Sequence, residues 1–361
     1  MKTLKDFEKE LCKCSKCGQC QSVCPVYKVT LNECAVSKGK FLMLHGVTKG
    51  DLQLSKNINK YLDMCLKCGK CDKYCPAGIE AEQILSVAKC EYAKKTFLHK
   101  IIFFLQSRLV FSNIIRLGKI ISAPFRKKIS KGVKTVLYFQ GCVNQICPRN
   151  NNCLAKIFAD TSINVLTPDF DCCGLPFLSE GNINRFKQAA KGNIEKLNTK
   201  CDYIVTDCAS CENTILNYDK YIENFTPDRS KFLNWGDIIA SEDIKFEFKK
   251  HVKVTFHKPC HLKDDTFFEK IISNCKNVEY VKMDDYDECC GFAGAFALKN
   301  INLSAQITKA KAQNIINSGA DYVITTCPAC ILGLKQGLIL SKSKVKVVGI
   351  LEFLSKASKI Y

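Results

Sequence analysis

No stretch of this chain is apolar for long enough to span a bilayer. A spanning helix needs about 20 apolar residues, and the longest apolar region, Ile101 to Ile115, is broken by Arg108 with Arg116 just beyond it. An export signal is missing as well. The opening MKTLKDFEKELCK interleaves charge with apolar residues and offers neither an apolar core nor a small-residue cleavage site. No G-x-G-x-x-G follows a strand pattern, and no Walker loop is present, so neither of the two common phosphate-cradling loops is available. Gly291-Phe292-Ala293-Gly294 is too short a match. Acidic residues are scarce, 35 against 54 Lys and Arg, for a formal net charge of +19. The excess is Lys scattered among Asn and Ile rather than an Arg-aromatic array, so nucleic acid is not an expected partner.

Cysteine is what the chain has in abundance, with 25 in 361 residues. A chain of this length has room for two or three domains with ordinary cores and does not need disulfide staples. Without an export signal the expected compartment is the reducing cytoplasm, with thiolates committed to metal.

Eight of the cysteines form two copies of one pattern, C-x2-C-x2-C-x3-C-P: Cys14, Cys17, Cys20, Cys24-Pro25 and Cys65, Cys68, Cys71, Cys75-Pro76. A pair of zinc knuckles shares the C-x2-C spacing but explains neither the third short interval nor the repeated Cys-Pro. The pattern resembles the bacterial ferredoxin run, in which three close thiolates hold one 4Fe-4S cube and the fourth reaches the other cube. That resemblance implies one cluster on Cys14, Cys17, Cys20 and Cys75 and a second on Cys65, Cys68, Cys71 and Cys24. Helical apolar spacing between the runs, at Phe41, Leu42, Leu44, Val47, Leu52, Leu54, Ile58 and Leu62, predicts helices rather than hairpins. A closing helix is expected over Glu80 to Ala93. His45 reads as a surface or packing residue.

From Glu91 to Lys134 the composition shifts, with eleven Lys or Arg facing the single acid Glu91. The pattern predicts a basic amphipathic segment with two readings: one docks on an anionic membrane surface or a partner, and the other packs as a linker with solvated lysines.

The remainder is an internal duplication. VKTVLYFQGC, ending at Cys142, pairs with HVKVTFHKPC, ending at Cys260. DCCGLPF pairs with ECCGFAG, and CDYIVTDCASC with ADYVITTCPAC. Three blocks in one order mark two copies of a module. Strand patterns such as Tyr203 to Val205 and Tyr322 to Ile324 alternate with helical ones such as Ile183 to Leu197 and Leu303 to Ile316, which predicts a parallel sheet in each copy. Ligands collect at the carboxyl ends of such strands, where the cysteines fall. One module offers Cys142, Cys172, Cys173, Cys208 and Cys211, the other Cys260, Cys289, Cys290, Cys327 and Cys330. Five thiolates exceed what a tetrahedral zinc needs, although a single zinc or a redox disulfide stays open for either module. Gly174 and Gly291 permit a tight turn after each pair. The seven remaining cysteines share no spacing. His257 and His261 flank Cys260, where they could tune or ligate a cluster; packing or hydrogen bonding is the favoured reading.

A helical dicluster ferredoxin followed by two modules of the form C…CCG…CxxC resembles the cysteine-rich "CCG" iron-sulfur family. Its members include the glycolate oxidase iron-sulfur subunit, the C subunit of anaerobic glycerol-3-phosphate dehydrogenase, lactate-utilisation proteins and heterodisulfide reductase subunits. The resemblance implies an α-helical two-cluster domain over 1–90, a basic amphipathic linker over 91–132, and two α/β modules with parallel sheets over 133–248 and 249–361. It implies two 4Fe-4S clusters, with one or two further iron-sulfur clusters, non-cubane 4Fe-4S among the options, in the modules. The activity implied is electron transfer for a flavin-dependent dehydrogenase of a 2-hydroxy acid, glycolate or lactate. Its partners would be an FAD-containing subunit, the inner face of the cytoplasmic membrane and quinone, and no residue of this chain is assigned a catalytic role. The retained Cys208, Cys211, Cys327 and Cys330 also keep open a heterodisulfide reductase-like catalytic subunit or a relative of the glycerol-3-phosphate dehydrogenase C subunit.

Overall fold

The computed structural model describes residues 2–93, 106, 133–146 and 149–361. Most of the basic segment therefore lies outside the described residues. Among those residues, no helix is long and apolar enough to cross a membrane.

The first 93 residues are helical. Short turns at Leu4–Phe7 and Glu8–Cys12 lead into the first cysteine run, and helices Ser37–Lys49 and Lys56–Asp63 fill the interval between the runs. The closing helix is Ala81–Ala93. Phe41, Leu44, Ile58 and Leu62 pack with Leu4, Phe7, Leu11, Ile84 and Leu85 into one core. Leu42 and Leu52 stay 57% and 46% exposed. Leu42 follows Phe41 directly, and neighbours about 100° apart around a helix cannot share a narrow core stripe.

The rest builds two sheets of the same design. In the first, β1 (Lys134–Tyr138), β2 (Ile163–Leu166), β3 (Tyr203–Thr206) and β4 (Phe232–Asn234) are all parallel in the order β2-β1-β3-β4. In the second, β5 (Phe246–Phe256), β6 (Cys275–Tyr280), β7 (Tyr322–Thr325) and β8 (Lys346–Gly349) repeat that order as β6-β5-β7-β8. A short β9 (Lys359–Ile360) adds antiparallel to the start of β5. The two long amphipathic helices run Ile183–Leu197 and Ile301–Asn317. β5 begins at Phe246 and so crosses the limit expected at 248 and 249.

The sheets do not pack as separate bodies. Tyr138, Phe158 and Trp235 from the first module share a buried cluster with Phe246, Phe256, Phe267 and Phe353 from the second. Tyr138 and Trp235 meet edge to face at 5.3 Å, a favoured aromatic geometry. In each sheet the chain changes direction between the first and third strands of the module, and the crevice outside their carboxyl ends is the position where open α/β sheets bind ligands.

Candidate metal centres

The two ferredoxin-like runs fold as the same loop. Lys16 and Lys67 have φ 60 and 54, and Gly18 and Gly69 have φ 85 and 68, all in the left-handed region. This conformation turns backbone N–H groups towards the enclosed sulfurs, and the Lys67 amide donates to Cys65 Sγ at 3.4 Å. A cavity of about 30 Å³ is lined by Cys14, Cys17, Cys20, Cys71 and Cys75. Another of about 30 Å³ is lined by Cys20, Cys24, Cys65, Cys68 and Cys71, so that Cys20 and Cys71 border both. The helix Pro25–Thr30 starts with proline at its first position, where a missing N–H costs nothing, and this helix start turns Cys24 away from its own run. Burial pushes the Cys24 thiol up to about 11. A hydrogen bond to Cys289 followed by burial raises that of Cys68 well above its usual range. Metal binding to such buried thiols releases their protons.

The ten module cysteines converge on one cavity of about 280 Å³. In the first module Cys172 lies against Cys142 and Cys173, and Cys211 against Cys173 and Cys208. In the second, Cys260 lies against Cys289, which meets Cys290; Cys290 Sγ hydrogen-bonds Cys330 Sγ at 3.4 Å; and Cys330 meets Cys327. Two contacts join these sets to their surroundings. Cys208 lies against Cys327 across the modules, and Cys68 of the ferredoxin-like domain against Cys289. One row of sulfurs thus runs from the helical domain through the second module into the first. Within it, hydrogen bonds from flanking thiols hold Cys173, Cys290 and Cys327 well below the ordinary thiol range. Ten converging buried or half-buried thiols are a donor set for a soft, sulfur-rich centre.

Local structure aims these thiols. Gly174 and Gly291 have φ +95 and +81, and a Cβ on either would meet Phe186 at 2.6 Å or Ile307 at 2.7 Å. The first turn is further pinned by Tyr218, whose hydroxyl donates to the Cys173 carbonyl at 2.8 Å, and by Asn193, whose amide donates to the Cys172 carbonyl at 3.0 Å. Asp207, just ahead of Cys208, accepts from Tyr138 Oη and from Asn144 Nδ2, both at 2.6 Å. It ties the end of β1 and the helix Gly141–Ile146, which carries Cys142, to the end of β3. Tyr218 and Asn193 stand in no motif, whereas Asp207 lies inside the duplicated block CDYIVTDCASC, opposite Thr326 of the second copy.

The two histidines differ. His261 spans the domains, with Nε2 2.7 Å from the Lys67 carbonyl and Nδ1 3.1 Å from Ser210 Oγ, in keeping with the hydrogen-bonding role expected of it. His257 is fully buried and packed, with neither ring nitrogen hydrogen-bonded among the described residues. Its backbone N–H joins the ladder at the Ile324 carbonyl, and that strand position directs the ring at the cysteines. Outside these sets, Cys90 is a core residue, and Cys12 Sγ lies 3.3 Å from His45 Nε2.

A helical domain with two cysteine-lined cavities, joined to two parallel-sheet modules with converging thiols, defines an iron-sulfur protein. The 4Fe-4S dicluster domain model matches residues 10–79, and the cysteine-rich CCG domain model matches twice, at 136–216 and 254–335. The chain belongs to the cysteine-rich iron-sulfur family of electron-transfer subunits, with multiple iron-sulfur clusters as cofactors. It is 23% identical to a probable glycolate oxidase iron-sulfur subunit of Bacillus subtilis, over 97% of this chain and 95% of that one. It is 29% identical to one subunit of the fumarate reductase (CoM/CoB) of Methanothermobacter marburgensis, over 97% of this chain and 73% of the other. A crystal structure of a hypothetical protein from Helicobacter pylori shares the fold, with TM-score 0.55 and 13% identity over 89% of this chain and 67% of that one.

Proposed function

We propose that this chain is the electron-transfer subunit of a flavin-dependent 2-hydroxy acid dehydrogenase acting on glycolate or lactate. It receives electrons from an FAD-containing partner and hands them towards membrane quinone. The observation that supports this most is the unbroken row of sulfurs from Cys68 through Cys289 and Cys327 to Cys208 and Cys142. Bound clusters supply one-electron steps with little structural change, whereas a flavin takes the substrate's hydride pair. In this reading Cys14, Cys17, Cys20 and Cys75 hold one 4Fe-4S cluster and Cys24, Cys65, Cys68 and Cys71 the other. Cys142, Cys172, Cys173, Cys208 and Cys211 hold the centre of the first module, 133–248. Cys260, Cys289, Cys290, Cys327 and Cys330 hold that of the second, 249–361. The similarity to the Bacillus glycolate oxidase protein supports the choice of substrate class.

The protein works in the cytoplasm, at the inner face of the cytoplasmic membrane. The composition of the 91–132 segment supports that position: lysines and arginines attract anionic lipid, an attraction screened beyond about 8 Å at physiological ionic strength. Binding to anionic vesicles at low salt, with release as salt rises, is the expected result, and equal binding to neutral vesicles contradicts it.

A second reading has a specific observation behind it. The cavity of about 280 Å³ adjoins all ten module cysteines, and similarity extends to one subunit of the dihydromethanophenazine:CoB–CoM heterodisulfide reductase of Methanosarcina barkeri, 24% identical over 96% of this chain and 94% of that one. On that reading the chain itself reduces a disulfide in the cavity. One experiment separates the two. The anaerobically purified chain is offered glycolate, D-lactate and L-lactate with a dye acceptor, alone and with flavoproteins encoded beside it. Turnover only with a flavoprotein supports the subunit reading, turnover by the chain alone overturns it, and disulfide reduction by the chain alone replaces it with the second.

A further inference from the structure

The two modules carry the same five cysteines, yet they do not offer the same donors. Aligning VKTVLYFQGC with HVKVTFHKPC sets Phe139 of the first module against His257 of the second. Both residues sit just past the equivalent strand: the Phe139 N–H donates to the Val205 carbonyl at 2.8 Å and the His257 N–H to the Ile324 carbonyl at 2.9 Å. Both side chains are 0% exposed. Phe139 packs in a tilted arrangement against Phe170, ring centroids 4.7 Å apart, and needs nothing more. His257 has two polar ring atoms in the same kind of place, and neither has a partner among the described residues.

An unpartnered buried polar atom is destabilising, so an imidazole at this place calls for a group to bind. One ring nitrogen of His257 and the sulfurs of Cys290 and Cys330 all lie within 4.8 Å of one another, a spacing that brackets a metal ion. We propose that His257 is a nitrogen ligand of the second module's iron-sulfur centre, which makes that centre a mixed nitrogen and sulfur site while the first remains all-thiolate. This rests on the placement of an iron-sulfur centre in the second module under the proposed function. Burial, then the nearby Lys311, holds the imidazole well below its usual pKa, and the neutral ring is the form that ligates metal. Nitrogen donors are a known means of separating the potentials of otherwise similar clusters, so two centres in a row become distinguishable steps.

The test uses the full chain, purified anaerobically, with natural-abundance and with 15N-labelled histidine. Pulsed EPR of the reduced protein is expected to show strong nitrogen coupling at one centre, changing with the label. In His257→Phe that coupling is expected to vanish while the signals of the helical domain and first module persist, and in His261→Gln it is expected to remain. Folding is controlled by those persisting signals, and by His257→Gln, which keeps the site polar without an imidazole. Iron in the second module with no coupling, or with only the weak coupling of a hydrogen bond, overturns ligation by His257. Iron absent from the second module of the wild type overturns the cluster placement and the inference with it.

Discussion

Cys24 shows how little a single position needs to move to change partners. Three residues separate it from Cys20, which borders the same cavity, yet the thiols that act on Cys24 are Cys68 and Cys65, because Pro25 starts a helix in a new direction. Cys24→Ala is expected to lose the cluster of the second run and spare that of Cys14, Cys17 and Cys20, which EPR and iron content of the variant will register. Loss of the near cluster with the far one intact would reverse the assignment. Gly174 is the backbone counterpart. A side chain there combines left-handed φ with a 2.6 Å clash on Phe186, so Gly174→Ala is expected to cost about 1–3 kcal/mol in chemical denaturation and to deplete iron from the first module.

The elements matter through where they end. β1 and β3 are four or five residues long, and both stop where cysteines begin. Their carboxyl ends are held in register by Asp207, which binds Tyr138 and Asn144. Asp207→Asn keeps the shape but replaces a charged acceptor with a neutral amide, and hydrogen bonds to charged groups are worth about 1.5–3 kcal/mol. We expect a loss near the lower end of that range, with cluster signals of the first module broadened and those of the second unchanged. Equal disturbance of both modules would show that Asp207 supports the shared core instead.

Across the whole molecule, three parts meet around the sulfur-lined cavity, and an ion cluster of buried Lys89 and Glu180, half-buried Asp63 and the more exposed Lys299 clasps them. Lys299 of the second module lies 2.6 Å from Glu180 of the first and 3.2 Å from Asp63 of the helical domain, and Lys89 lies 2.7 Å from Asp63. His261 adds the bridge between Lys67 and Ser210. Removing one partner of a buried pair leaves the others uncompensated. Lys299→Ala is therefore expected to destabilise the protein by about 1–3 kcal/mol; Lys89 still faces Asp63. The informative readout is electron transfer between the helical domain and the modules, followed by rapid mixing. It is expected to slow several-fold in the variant at unchanged iron content, and an unchanged rate would show that the clasp has no part in holding the sulfur row together.

Local order was legible in the sequence because its causes are local. Cysteines three or four residues apart with a following proline specify a loop, and alternation of strand and helix patterns specifies a parallel sheet. Repetition of three blocks specifies two copies, and the identical strand orders of the two sheets agree with it. What lies between distant residues was not legible. Nothing near Cys68 in the chain points to Cys289, and nothing near Cys208 points to Cys327. Those meetings follow from a core that Trp235, Phe246 and Phe267 fill from both modules and from an ion clasp drawn from three domains. The same holds for His257. Its place beside Cys260 allowed either a ligand or ordinary packing, and only the tertiary structure shows its nitrogens buried without a protein partner among the described residues. Short-range spacing chose the ligands that fold together; close packing, which leaves a buried polar atom no second choice, decided which of them share a site.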